Sequence, residues 1–166
     1  MIFLRPASLS EALSIKSEQP DIVPIAGGTD LMVMINFDRC RPPGLLDLSR
    51  VPELRTLTEH PGGVLRIGAG VSFNRIHRDY ADVLPSLATA AGTVGSPQIR
   101  FRATIGGNLA TASPAGDSLP PLMAADAVVE LASIEGTRHL PLEDFLLGPK
   151  RSALLPNELI VAIHVR

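Results

Sequence analysis

Short apolar runs, separated by glycine, proline and polar residues, predict a chain of many short strands and helices. The run at residues 22–26 predicts a strand, and the Gly27-Gly28 pair after it predicts a turn. Residues 31–35 predict a buried helical turn, and residues 45–48 predict a second strand. A strand, a glycine turn, a helix and a returning strand together predict a compact βαβ-like unit that ends near residue 55.

The rest of the chain combines strand-like apolar runs with apolar residues at helical spacing. Strands are predicted at residues 64–67, 128–134 and 159–165. Helices are predicted at residues 84–94, 120–127 and 141–146. Strands joined by hairpin-like turns, with helices between them, predict a mostly antiparallel sheet flanked by helices.

Two polar stretches contain residues that commonly cap helix N-termini. Ser8 and Glu11 have the spacing of a capping box, so a helix is expected to begin there and to end before Pro20. The side chains of Thr29 and Asp30 are expected to cap the helix that follows the first glycine pair.

The composition is typical of a folded globular protein and excludes several functions. Hydrophobic residues make up 45% and charged residues 19% of the 166 residues, which is enough to form a sizeable core. The net charge of −2 argues against a basic surface for nucleic acid or anionic membrane. No run approaches the roughly 20 apolar residues of a membrane span, so a cytoplasmic location is expected.

Residues with thiol or metal-binding chemistry are few and scattered. Cys40 is the only cysteine, which excludes an internal disulfide and an iron–sulfur site on this chain. The neighbouring Arg39 and Arg41 favour a thiolate, but without a partner Cys40 is expected to be an incidental surface thiol. No metal site is predicted, because no i, i+4 pair or HExxH spacing relates the histidines, which are His60, His77, His139 and His164.

Two glycine-rich loops without lysine or arginine are the strongest candidates for a ligand site. The first follows the strand predicted at residues 22–26; the second lies in residues 104–118, which contain three glycines and four hydroxyl residues. Adjacent glycines let backbone N–H groups approach an anion closely, and a helix N-terminus favours negative charge. Together the loops predict a diphosphate held from both sides, whereas either loop alone is also compatible with an ordinary turn.

Two other catalytic or cofactor motifs are excluded by their spacing. Gly68 and Gly70 begin like a dinucleotide-binding fingerprint, but Phe73 stands where the third glycine would be. A tight connection into a helix that begins at Ser72 is expected there instead. Ser113 and Ser118 do not lie in a GxSxG elbow, so nothing supports a hydrolase.

The two loops and the segment between them resemble the FAD-binding subunit of molybdenum hydroxylases. This family includes the medium subunit of carbon monoxide dehydrogenase and the flavin domain of xanthine dehydrogenase. The resemblance covers nearly the whole chain and is carried by Ala26-Gly27-Gly28-Thr29-Asp30-Leu31, by residues 46–54, and by Thr104-Ile105-Gly106-Gly107-Asn108. It implies an α+β fold of two FAD-binding lobes, a small βαβ-like lobe at residues 1–55 and a larger lobe at residues 56–166.

The resemblance also implies that the FAD diphosphate lies between the two loops. Backbone N–H groups and the hydroxyls of Thr29 and Thr104 would hold it. Asp117 would accept hydrogen bonds from ribose or ribityl hydroxyls, unless it caps the next helix, and Ile160 would lie near the flavin ring, unless it is plain core. No residue is expected to be catalytic, and the implied cofactor-binding residues are Ile25, Ala26, Gly27, Gly28, Thr29, Asp30, Leu31, Thr104, Ile105, Gly106, Gly107, Asn108, Asp117 and Ile160.

The function implied by the resemblance is electron transfer in a heteromeric oxidoreductase. FAD would receive electrons from a [2Fe–2S] partner subunit and pass them to NAD, a quinone or oxygen, while another partner subunit carries molybdopterin. A stand-alone flavin oxidoreductase and a non-catalytic assembly module that has lost FAD stay open as alternatives. The sequence departs from the family at Phe101 and Ala103, where family members often carry Asn and Gly. It also departs at Arg166, where a further C-terminal lobe with flavin contacts is expected to begin.

Overall fold

The first part of the chain forms a three-stranded parallel sheet. The structure is a computed structural model that describes residues 1–166. Strands β1 (Ile2–Leu4), β2 (Val23–Ile25) and β3 (Gly44–Asp47) lie in the order β1-β3-β2, connected by helices α1 (Leu9–Glu18) and α2 (Leu31–Asn36). The parallel pairing of β2 with β3 confirms the predicted βαβ-like unit and leaves β2 at the sheet edge.

The rest of the chain forms a five-stranded antiparallel sheet with helices between its strands. Two 3₁₀ turns, Leu48–Arg50 and Pro52–Arg55, lead into it. The strands of this sheet are β4 (Leu57–His60), β5 (Val64–Gly68), β6 (Val128–Ser133), β7 (Gly136–Pro141) and β10 (Leu159–Val165). Their order is β4-β5-β10-β6-β7, with every pair antiparallel. A separate hairpin of β8 (Leu146–Gly148) and β9 (Arg151–Ser152) precedes β10.

Six helices accompany this sheet. They are α3 (Phe73–Asp79), α4 (Pro85–Thr93), α5 (Pro97–Arg102), α6 (Ile105–Thr111), α7 (Leu119–Ala124) and α8 (Leu142–Phe145). The α+β class and the mostly antiparallel sheet flanked by helices are therefore confirmed. Across the whole chain, no helix combines the length and the apolar character that crossing a bilayer requires.

Two apolar clusters hold the elements together. The larger one packs strand residues such as Ile67 and Ile163 against helix residues such as Phe73, Leu109 and Phe145. All five of these side chains are fully buried, and each such burial stabilises the fold by about 1.5–3 kcal/mol. The cluster fixes α3 and α6 against one face of the antiparallel sheet.

The smaller cluster joins the two sheets. Ala12 of α1 and Leu46 of β3 pack with Leu54, Leu159 and Val161. Residues from both predicted lobes therefore meet at the start of β10, where the candidate site lies. The division of the chain into lobes at residue 55 stays a prediction.

The predicted helix caps give mixed outcomes. Ser8 Oγ accepts the Glu11 N–H at 3.2 Å, as expected, while Glu11 Oε2 accepts the N–H of Ala7 at 2.7 Å. A helix was expected to begin at Ser72; α3 begins one residue later, and Ser72 is its N-cap, because its Oγ accepts the N–H of Arg75 at 3.3 Å. The prediction that Thr29 or Asp30 caps α2 is wrong, since no side chain caps this helix.

Candidate cofactor site

The two glycine loops line one cavity of about 570 Å³ at the junction of the two sheets. This volume is within the range of small-molecule sites. Two of the predicted residues, Ile105 and Asp117, do not reach it. The predicted residues that line it are Ile25, Ala26, Gly27, Gly28, Thr29, Asp30, Leu31, Thr104, Gly106, Gly107, Asn108 and Ile160.

The first loop packs directly against the backbone that leads into the second loop. A Cβ added at Gly27 would lie 2.1 Å from the carbonyl oxygen of Arg102 and 3.0 Å from Cα of Ala103. No side chain fits in that space, so glycine is required at this contact. Gly28 has a φ of +73°, in the left-handed region that favours glycine, and this conformation turns the chain toward α2.

A side-chain hydrogen bond also connects the two loops. Thr111 Oγ1 donates to Asp30 Oδ2 at 3.3 Å. Thr111 follows Gly107 by four residues and also donates to its carbonyl oxygen at 3.0 Å. Asp30, which was expected to cap α2, thus faces the second loop instead.

The first loop has a run of backbone donors without acceptors. The N–H groups of the six consecutive residues 26–31 form no hydrogen bond within the protein. These residues all line the cavity. Successive unpaired N–H groups attract an anion even where no cationic side chain is present. Asp30 is the only charged residue of the lining, so an anion bound here would depend on these backbone dipoles.

The N–H groups of residues 105–108 in the second loop already have acceptors. Ile105 N donates to Val71 O at 3.0 Å, and Gly106 N donates to Ala69 O at 2.9 Å. Gly107 N donates to Thr104 Oγ1 at 3.1 Å, the N-cap bond of α6, and Asn108 N donates to Thr104 O. The expectation that both loops offer runs of free N–H groups is thus corrected, because in residues 104–108 only the Thr104 N–H has no acceptor.

Instead of a run of free N–H groups, the second loop presents the backbone of Gly107 and the side-chain amide of Asn108 to the cavity. Gly107 is exposed in the cavity wall, where the nearest atom to an added Cβ would be Thr104 Oγ1. Asn108 Oδ1 accepts the hydroxyl hydrogen of Ser118 at 2.7 Å, which orients the amide and leaves its NH₂ group without a protein acceptor. The loop can therefore place a flat backbone face and an amide donor against a ligand.

An apolar end of the cavity lies at the start of β10. Ile160 is 7% exposed and lines the cavity beside Leu159, Phe73, Val94 and Leu154. Ile160 also belongs to the larger apolar cluster. Its position is therefore compatible with both expectations, a core residue and an aliphatic contact for a flat ring.

An ion pair between the half-exposed Arg138 and the buried Glu158 holds the chain just before Ile160. Glu158 accepts from Arg138 Nε at 2.6 Å, from Arg138 Nη2 at 2.8 Å and from the Leu155 N–H at 2.9 Å. Its side chain is only 7% exposed. The Arg138 hydrogen bonds lower the pKa of Glu158 below its ordinary value, against the opposing effect of burial. The carboxylate thus fixes the entry of β10 into the cavity wall.

Ile105 and Asp117 lie outside the cavity for different reasons. Ile105 is fully buried in the larger apolar cluster and anchors the start of α6. Asp117 is exposed, and its carboxylate accepts only a long hydrogen bond from Thr93 Oγ1 at 3.4 Å. It does not cap the next helix either, because the residue before α7 is Ser118. The proposed contacts of Asp117 with a sugar hydroxyl stay a prediction.

Several lining residues were not predicted from the sequence. Cys40, expected at the surface, is half-buried and lines the cavity, as does Gly70 in the connection between β5 and α3. Thr111 also lines it. Helical periodicity from Gly107 gives a signal for Thr111, because residues four apart share a helix face. The sequence contains no comparable signal for Cys40.

The chain is similar to FAD-binding proteins over nearly its whole length. The family model described as "FAD binding domain in molybdopterin dehydrogenase" matches residues 1–165. A xanthine dehydrogenase FAD-binding subunit of Escherichia coli O157:H7 is 34% identical over 96% of this chain and 56% of its own length. The nicotinate dehydrogenase FAD-subunit of Eubacterium barkeri is 38% identical over 98% of this chain and 57% of its own length.

Solved structures show the same fold. A chain of quinoline 2-oxidoreductase from Pseudomonas putida 86 aligns with a TM-score of 0.95 and 30% identity, over 99% of this chain and 58% of that one. A chain of carbon monoxide dehydrogenase from Hydrogenophaga pseudoflava aligns with a TM-score of 0.94 and 33% identity over the same shares. The present chain thus spans less than three fifths of each of these relatives. It belongs to the family of FAD-binding domains of molybdopterin dehydrogenases.

Proposed function

We propose that the cavity binds FAD and that the first glycine loop holds its diphosphate. The observation that carries this proposal is the run of six unpaired backbone N–H groups at residues 26–31, which lines the cavity without any cationic side chain. A diphosphate needs several donors at close range, and adjacent N–H groups supply them. The hydroxyl of Thr29 also lines the cavity and adds a further donor at this loop.

The remaining lining fits the other parts of the cofactor. The apolar end at Ile160 and Leu154 offers an aliphatic surface for a flat ring system. Asn108, with its amide oriented by Ser118, and Gly107 also line the cavity. The residues present therefore suit a molecule with a flat ring at one end and a diphosphate in its middle.

When FAD is bound, it supplies the redox chemistry, and the chain supplies position and electrostatics. The Glu158–Arg138 pair keeps β10 and Ile160 in place beside the ring. The contact of Gly27 with Arg102 keeps the two loops at a fixed distance. No side chain of the cavity is assigned an acid or base role.

We further propose that the protein is the FAD-binding electron-transfer component of a molybdenum hydroxylase complex. An iron–sulfur subunit would deliver electrons, a molybdopterin subunit would oxidise the organic substrate, and NAD, a quinone or oxygen would be the acceptor. Support comes from the relatives named as FAD subunits of dehydrogenases. The single cysteine within residues 1–166 also fits this proposal, because these residues cannot ligate an iron–sulfur centre themselves.

Titration of the purified chain with FAD, FMN and riboflavin tests the cofactor proposal. We expect FAD to remain with the protein through gel filtration, seen as a flavin band at about 450 nm, and riboflavin to bind much more weakly because it lacks phosphate contacts. Equal affinity for FAD and riboflavin would contradict the assignment of residues 26–31 to the diphosphate. No binding of any flavin would favour the assembly module, and oxidation of a substrate by the isolated chain would favour a stand-alone oxidoreductase.

A further inference from the structure

Three side chains with metal-ligand chemistry meet on the antiparallel sheet, away from the cofactor cavity. They are Glu130 on β6, His139 on β7 and His164 on β10. One potential ligand atom from each lies within 4.8 Å of the other two. The Nε2 atom of His164 is 2.7 Å from Oε2 of Glu130, and the rings of His139 and His164 have centroids 5.2 Å apart.

The strand register brings these residues together. His139 lies directly opposite Glu130 in the β6–β7 pairing. Glu130 pairs with Ala162 of β10, so His164 is two residues further along and on the same face of the sheet. Three neighbouring strands therefore each contribute one ligand side chain. The sequence could not reveal this, because the three residues have no regular spacing along the chain.

The carboxylate of this cluster is oriented from the opposite side by Arg66 of β5. Arg66 Nε and Nη2 donate to the two oxygens of Glu130 at 2.8 and 2.9 Å. Glu130 therefore has a fixed direction, as expected for a carboxylate that has an outer partner.

We propose that Glu130, His139 and His164 bind a divalent transition-metal ion of the Zn²⁺ type. Two imidazoles and one carboxylate are ligands that Zn²⁺ commonly uses, at about 2.0–2.2 Å, and water would complete the coordination. Ligand atoms within 4.8 Å of one another reach such distances through small side-chain rotations. His139 is exposed and forms no hydrogen bond within the protein, so its ring is free to turn toward the ion.

The proposed metal site is separate from the FAD site. Ile160 lines the cavity, and His164 lies four residues further along β10. At about 3.3 Å per residue, the separation along the strand is about 13 Å. The ion would tie β6, β7 and β10 together and so stiffen the sheet that carries Ile160. This role does not depend on flavin binding, so the two proposals can fail independently.

Isothermal titration of the untagged, chelator-treated chain with ZnCl₂ tests the proposal. We expect the wild-type chain to bind a single Zn²⁺ and to show a raised melting temperature with the ion present. Co²⁺ in place of Zn²⁺ should give the visible absorption of a protein-ligated ion. His139→Ala should weaken the affinity for Zn²⁺ by about tenfold or more. Loss of a residue that only hydrogen-bonds to a ligand already costs about tenfold, and His139→Ala removes a ligand itself.

His60→Ala is the matched control. His60 is exposed on β4 of the same sheet, with a ring centroid 6.2 Å from that of His164, but it is not one of the three ligands. Its removal should leave the affinity for Zn²⁺ unchanged. The proposal is overturned if the wild type binds no Zn²⁺, or if His139→Ala binds as well as the wild type. An equal loss in the two variants would also overturn it, because the ion would then bind surface histidines without selection.

Discussion

Gly106 and Gly107 are adjacent in sequence but have opposite surroundings, so alanine at each position separates packing from ligand binding. A Cβ at Gly106 would lie 2.5 Å from the Cβ of Ala69 and 2.8 Å from its carbonyl oxygen. A Cβ at Gly107 would meet only Thr104 Oγ1, at 3.1 Å, and would otherwise extend into open space at the cavity wall. The first glycine allows α6 to pack, and the second leaves room for a ligand.

The two substitutions are expected to change the free energy of unfolding in opposite directions. Gly106→Ala must push α6 away from the backbone of Ala69, and overpacking of this kind costs about 1–3 kcal/mol of stability. Gly107→Ala lies in the first turn of α6, where alanine is favoured over glycine by up to about 1 kcal/mol. Its free energy of unfolding should therefore stay the same or rise slightly. The added methyl group should nevertheless lower FAD affinity at least tenfold, or about 1.4 kcal/mol.

Urea unfolding followed by circular dichroism, together with FAD titration followed by flavin fluorescence, measures both effects. We expect Gly107→Ala to be fully folded with weakened FAD binding, and Gly106→Ala to be destabilised. Wild-type FAD affinity in Gly107→Ala would show that the cofactor does not approach this residue. Wild-type stability in Gly106→Ala would show that the contact with Ala69 does not require glycine.

Two further predictions concern polar contacts beside the cavity. Glu158→Gln should cost about 1–3 kcal/mol near pH 7, because it removes the charged acceptor of Arg138. The folded-state pKa of Glu158 lies below the ordinary value of 4.5, so its carboxylate stops stabilising the fold as the pH falls through that lower pKa. The difference in free energy of unfolding between the wild type and Glu158→Gln should therefore shrink at acidic pH. A difference in urea unfolding that stays constant with pH would refute this prediction. Thr111→Val should speed FAD release in stopped-flow measurements by removing the hydrogen bond to Asp30, whereas Thr111→Ser should not.

Periodicity and turn residues predicted most elements of the fold. Strand β10 was predicted at its observed bounds, and the helices at residues 84–94 and 120–127 were displaced by only one to three residues. The edge strands β1 and β4 were missed. Both are at most four residues long and largely exposed: the apolar run of β1 has only three residues, and β4 contains Thr, Glu and His. Their conformation is determined by pairing with β3 and β5, which the local sequence does not encode.

The candidate site was predicted in outline, because glycine pairs before helices have a recognisable pattern. The sequence pattern did not show which residues surround each glycine pair in the folded chain. Cys40 lines the cavity through the path of the α2–β3 connection, and the histidine cluster depends on strand register. The position of Cys40 and the histidine cluster both depend on contacts between residues far apart in the sequence, so no local motif predicts them.

The different roles of the two glycine loops follow from sheet topology. The first loop leaves β2, the edge strand of the parallel sheet, so no further strand runs beside residues 26–31 and their N–H groups stay unpaired. The second loop begins beside the segment that follows β5, and the carbonyl oxygens of Val71 and Ala69 accept the N–H groups of Ile105 and Gly106. A glycine pair therefore predicts close approach of the backbone, but only the neighbouring chain decides whether that approach serves a ligand or the protein itself. By this reasoning the anion site belongs to the edge-strand loop, and the loop beside β5 supplies the wall against which the cofactor is held.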